Sequence, residues 1–148
     1  MKFSKLPKPQ RDALNVYVKL MRATNIATNR IHRHLAQDNL TLSQFAVLEA
    51  LYHLGSLSQG QLGEKILKSD ANLTTVVDTL EKKGLVIRER SETDRRKVYV
   101  HLTDSGETLI AKVFPRHAKV VSEELGFLSV KEKNLLTELL KRFQLNKE

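Results

Sequence analysis

The hydrophobic period of this chain changes from 3.6 to 2 at Gly84, directly after three short helical segments, and few folds accommodate that order. Thr41-Leu42-Ser43-Gln44 and Ser58-Gln59-Gly60-Gln61 both fit the S/T-x-x-E/Q pattern. In it, hydroxyl and carboxamide each accept a backbone N–H that a first helical turn leaves without a partner. The first box leads into Phe45, Leu48, Leu51 and Tyr52, and that helix should stop at Gly55. The second leads into a short helix carrying Leu62, Ile66 and Leu67. A third helix starts around Ser69 or Asp70, packs Leu73, Val76, Val77 and Leu80, and ends at Lys82-Lys83-Gly84, where cations complement the helix dipole. Beyond the glycine, Leu85–Arg90 and Lys97–Leu102 alternate as strands do, with Val98, Val100 and Leu102 on one side. The polar link Ser91-Glu92-Thr93-Asp94-Arg95-Arg96 is long enough to project as a hairpin tip.

Both flanks read as helices. Residues 10–37 carry two adjoining apolar stripes, Ala13, Val16, Leu20, Ala23 and Ala27 on one, and Leu14, Tyr17, Val18 and Met21 on the other. Together they cover more of the circumference than one core needs, so a second buried surface is expected, most economically a partner subunit. The remaining face, with Lys19, Arg22, Arg30 and Arg33, is expected to be solvated. From residue 104 to 146 the chain is helical again, with a bend expected at Pro115. A third box, Ser129-Val130-Lys131-Glu132, opens a last helix whose apolar face is Leu135, Leu136, Leu139, Leu140 and Phe143.

Composition narrows the function classes. Of 148 residues, 41% are hydrophobic and 28% charged, enough for a core, and no linker or repeat divides the chain, so one domain is expected. No apolar run approaches the roughly 18 residues of a membrane span, and no secretory signal is visible; a cytoplasmic protein is expected. Cysteine is absent, which excludes disulfide scaffolds, thiolate nucleophiles and thiol redox sensing. The net charge of +8 favours a polyanionic partner. It is unevenly spread: +7 over residues 1–35, −4 over 36–81, +4 over 82–103 and +1 over 104–148. His32 and His34 are two apart and face different sides of a helix, and no His/Glu cluster has ligand spacing, so no metal or cofactor is expected. GxSxG, HExxH, GxGxxG and P-loop patterns are all missing, so no enzyme is expected. Gly60-Gln61-Leu62-Gly63 has the GxxG form of an RNA-clamping loop but falls on a capped helix.

Helix, short helix, helix and hairpin follow one another as in a winged helix-turn-helix: mainly α with a small β-hairpin wing. The major groove admits one helix, whose early residues reach base edges while the preceding helix braces it. Ser69, Asn72, Thr74 and Thr75 occupy the early turns of the presumed reading helix. Asn pairs with adenine, and Thr touches the thymine methyl or donates to an acceptor. A hairpin cation reaches the adjacent minor groove, where negative potential concentrates. Ala71 through Val86, continuing through Arg88-Glu89-Arg90 and Asp94-Arg95-Arg96 to Val100-His101-Leu102-Thr103, resembles the MarR family of bacterial transcriptional regulators.

The resemblance implies a DNA-binding lobe over residues 41–103 and dimerisation helices over 10–37 and 104–146. It implies that Arg96 is the minor-groove arginine, that Asp94 holds or helps it, and that Arg95 is a phosphate contact or an alternate tip. It places Arg88 among the DNA-binding residues and implies a homodimer on a pseudo-palindromic operator, most often as a repressor. A small-molecule effector, often an anionic phenolic, belongs to the same implication. One departure from many relatives is that Asp70, Thr75 and Thr79 stand where those carry basic residues. Phosphate binding then falls to the wing, to the helix start near Thr41 and Ser43, and to Lys82 and Lys83. Two alternatives compete: a non-specific or architectural DNA-binding protein, and a winged-helix module for protein–protein interaction.

Overall fold

Each capping box opens a helix at the residue it marks. In the computed structural model, which describes residues 2–66 and 70–146, Gln44 N donates to Thr41 Oγ1 at 3.1 Å and Thr41 N to Gln44 Oε1 at 3.2 Å. They begin α2 (Leu42–Leu54), which ends at Gly55 with φ +79°, a left-handed turn natural to glycine. Ser58 and Gln61 exchange the same two bonds, at 2.9 and 3.2 Å, and begin α3 (Gln59–Ile66). Then α4 (Asp70–Lys82) leads through Gly84, φ +73°, into β2 (Val86–Arg90) and β3 (Val98–Leu102). Ser69 and Leu67 lie outside the described residues.

The expected hairpin is present, with Val86 opposite Leu102 and Arg90 opposite Val98. It is not alone: β1 (Leu57–Ser58) pairs with β3, setting Leu57 against Val100 and Ser58 against Tyr99, so the sheet is three-stranded in the order β1-β3-β2. Two residues are too few to display an alternation, and β1 left no sequence signal.

One further expectation is corrected. The helix expected over residues 10–37 is α1 (Lys8–Ile31) followed by a 3₁₀ turn, His32–Asp38. The tighter winding buries His34 and Leu35, and Asn39 at φ +53° then turns the chain toward Thr41. At Pro115, α5 (Asp104–Glu124) runs on as one helix. It is followed by α6 (Val130–Leu145), opened by the Ser129–Glu132 box.

The chain packs as two units, His32–His117 and the two ends up to Ile31 and from Ala118. In the first, Leu73, Val77 and Leu80 of α4 meet Phe45, Leu48, Leu62, Val86, Val100 and Ile110 in one fully buried core. Gly106 at the start of α5 is pressed on the turn before β2: a Cβ there would lie 2.0 Å from the Leu85 carbonyl oxygen. In the second unit, α1 and α6 line an apolar groove of about 540 Å³ with Val16, Leu20, Ala23, Leu136, Leu139 and Phe143. No described residue of α6 is buried, and Val16 and Phe143 are 62% and 65% exposed. No described helix is long and apolar enough to cross a membrane.

Candidate nucleic-acid interface

The reading helix has one side for the core and one for solvent because its apolar residues recur at helical spacing. With Leu73, Val77 and Leu80 inward, Asn72, Thr74 and Thr75 are turned outward and exposed on the early turns. Gln59, at the start of α3, donates from its amide to Thr74 Oγ1 at 2.8 Å, bracing the two helices side chain to side chain. Sequence reading missed this bond, which has no local signature. Thr79 donates back to the Thr75 carbonyl at 3.0 Å. At the start of α2, Thr41 is exposed and committed to its cap, and Ser43 is half-buried.

The wing tip is built by short polar bonds. Ser91 N donates to the Lys97 carbonyl and Lys97 N to the Asp94 carbonyl, each at 2.9 Å, while Asp94 N donates to Ser91 Oγ at 3.2 Å. Asp94 in turn accepts the Arg96 backbone N–H at 3.1 Å and stands 3.6 Å from its Nε. The Arg96 side chain is 94% exposed, and Arg95 beside it is exposed as well. The aspartate thus shapes the loop and faces the guanidinium without withdrawing it from solvent. An open cleft of about 460 Å³ joins this loop to α3, lined by Ser58, Gln59, Gly60, Arg96, Lys97 and Val98. Wing base, brace and, through Gln59, reading helix therefore meet at one place.

Arg88 and Lys83 are placed differently from the reading of the sequence. Arg88 is turned inward on α4: its guanidinium pairs with Asp78, donates to the Thr74 carbonyl at 3.2 Å and lies 3.9 Å from Glu81, while its backbone N–H donates to Glu81 at 2.9 Å. A side chain so engaged fastens β2 to the reading helix instead of being offered to DNA. The Lys83 ammonium donates to the Asn39 carbonyl at 2.7 Å and to Gln44 Oε1 at 3.2 Å, tying the end of α4 to the start of α2. Lys82 remains exposed. The sheet carries one more brace, Ser56 Oγ against His101 Nδ1, with Glu89 Oε2 3.2 Å from the other ring nitrogen.

Comparison with known proteins gives a consistent picture. The model of the MarR family matches residues 40–98. The HTH-type transcriptional regulator MhqR of Bacillus subtilis is 40% identical over 134 residues, covering 90% of this chain and 92% of that protein. Among solved structures, Bordetella bronchiseptica BpsR, whose DNA binding is regulated by 6-hydroxynicotinic acid, aligns with a TM-score of 0.80 and 26% identity. It covers 87% of this chain and 92% of its own. Overoxidised AbfR bound to DNA aligns with a TM-score of 0.74 and 25% identity, covering 95% and 98%.

Proposed function

Since the chain belongs to the MarR family of transcriptional regulators, DNA-binding proteins and not enzymes, we propose that it is a cytoplasmic repressor that binds a pseudo-palindromic operator as a homodimer. The observation that carries this reading is the convergence at the α3–wing cleft. An exposed arginine held by Asp94, the start of the bracing helix and the polar side of α4 are arranged for one stretch of duplex. In that role Asn72, Thr74 and Thr75 read base edges, and Ser69 precedes them. Arg96 enters the minor groove, with Arg95, Lys97 and the α2 start at Thr41 and Ser43 toward phosphates. Arg88 acts through α4 and the wing, as a positioning residue.

Dimerisation is supported by the apolar surface of α1 and α6, which a lone chain leaves in water. Two lobes related by a two-fold axis then require half-sites about one turn, ~34–36 Å, apart. An effector is supported by the relative BpsR, which responds to an aromatic acid; with no cysteine, this chain has no thiol through which to sense oxidants. The effector releases DNA only by favouring one arrangement of the dimer over the other.

Hydroxyl-radical footprinting of DNA upstream of the chain's own gene tests the reading. Two protected patches related by a dyad and centred about one turn apart are expected. A single patch, or uniform protection along the fragment, contradicts it.

A further inference from the structure

Three of the five histidines lie together within the His32–His117 unit, His32 and His34 on the 3₁₀ turn and His117 on α5. His34 Nε2 is 3.1 Å from His117 Nδ1. Arg116 Nε, which can only donate, lies 3.0 Å from His34 Nδ1; the same guanidinium donates to the His34 carbonyl at 3.3 Å and pairs with Asp38. That order fixes every proton. His34 Nδ1 accepts, so the neutral ring carries its hydrogen on Nε2 and donates it to His117 Nδ1. His117 then keeps its own hydrogen on Nε2. A second proton on either imidazole sets N–H against N–H and breaks the chain of bonds.

The surroundings reinforce this. On the turn stand His32, stacked on His117 with ring centroids 5.8 Å apart, and Asp38. From α5 come Arg116 and Lys112, the latter 3.7 Å from Asp38, and α2 contributes the apolar ring of Phe45, 4.5 Å from that of His117. Burial first, then the Arg116 and His32 charges, lower the His34 pKa; the Asp38 carboxylate opposes them. Hydrogen bonding to Arg116 holds that carboxylate itself below its usual range. Burial, then His34 and His32, lower His117 to about 4.

The position matters as much as the chemistry. The chain passes between its two units after Ile31 and again after His117, and the imidazole pair closes the turn after the first passage onto the helix that leads to the second. The residue after Asp38 is Asn39, whose carbonyl takes the Lys83 ammonium, so the same turn is fastened to the end of α4.

We propose that Arg116, His34 and His117 form an acid-opened latch on the DNA-binding lobe, closed only while both imidazoles are neutral. The latch rests on the function proposed above only in naming that lobe. Its sign follows from linkage. An opened His117 has the ordinary pKa near 6.5 and a closed one about 4, so the open state binds more protons between those values. Closure is at full strength above about pH 6.5 and weakens as pH falls toward 4. For His117 alone, opening becomes about tenfold more favourable by pH 5.5 than at neutral pH.

Amide hydrogen exchange reads the opening directly. Asn39 N and Leu40 N donate to the Ala36 and Leu35 carbonyls in the latched turn. Their protection, corrected for intrinsic exchange, should fall at least about tenfold between pH 7.5 and 5.5. In His117→Gln, whose carboxamide oxygen accepts from His34 but takes no proton, the fall should lose the roughly tenfold share of His117 and keep only that of His34. No fall in the wild type, or an equal fall in the variant, overturns the latch. A ¹⁵N-histidine titration of the wild type needs no variant: both rings should be neutral at pH 6 with hydrogen on Nε2. A His34 or His117 that titrates near 6.5, or carries hydrogen on Nδ1, overturns it equally. Neither readout involves DNA, so failure of the latch is distinguishable from failure of the DNA-binding reading.

Discussion

Arg88 directs its guanidinium inward to Asp78 and the Thr74 carbonyl, whereas Arg96, in the same hairpin, leaves 94% of its side chain in solvent. The two should therefore fail in different ways. Arg96→Ala is expected to weaken binding of the preferred duplex by about 1–2 kcal/mol, roughly five- to thirtyfold, with an unchanged melting temperature. Arg88→Ala should lower stability by about 1–2 kcal/mol in a thermal melt, because Asp78 and Glu81 lose the charge they face across the α4–β2 contact. Asn72→Ala should change sequence preference more than overall affinity in a competition assay, and a uniform loss across sequences would argue against base reading. The pairing of Asp94 with Arg96 was legible through the family resemblance of the wing, whose motif places both in one turn. The partners of Arg88 are on another element, and those of His34 on a helix far along the chain. Spacing carries no trace of such contacts; only the fold creates them.

Among the elements, those whose bonds are local were readable in advance. Thr41, Ser58 and Ser129 each cap the helix expected of them, since a capping box needs only four consecutive residues. The 3₁₀ turn after Ile31 and the strand β1 were hidden, the one set by the burial of His34 and Leu35, the other too short to alternate. The junction of β3 with α5 shows how tightly such elements are set. Thr103 Oγ1 donates to the Gly84 carbonyl at 2.6 Å and accepts Gly106 N at 3.0 Å, while Thr103 N donates to the Leu85 carbonyl at 3.1 Å. Gly106→Ala would drive its Cβ into that same Leu85 carbonyl, where backbone and not a flexible side chain must yield. A loss of about 1–3 kcal/mol is expected in chemical denaturation, from overpacking alone. A variant as stable as the wild type would mean that the turn before β2 is more adaptable than its bonds suggest.

At the scale of the whole molecule, net charge and apolar surface describe how the chain meets its partners. Charge of +8 per chain concentrates partly in the wing segment, while the apolar surface of α1 and α6 is available to a second copy. The two uncovered helix faces were legible from periodicity alone, because two stripes on one helix exceed what a single core absorbs. Leu139→Glu combined with Phe143→Glu should therefore convert a dimer into a monomer in sedimentation velocity and lower operator affinity. A dimer that persists would place the interface elsewhere. The +7 of residues 1–35 lies outside the wing and the reading helix. Fluorescence anisotropy with the duplex upstream of the gene, against a scrambled duplex of equal length over a salt series, is the most direct test of sequence-specific binding. The upstream duplex should bind at least about 10³-fold more tightly at physiological salt, keeping a preference where non-specific binding has faded. Equal affinities with one steep salt slope would contradict it.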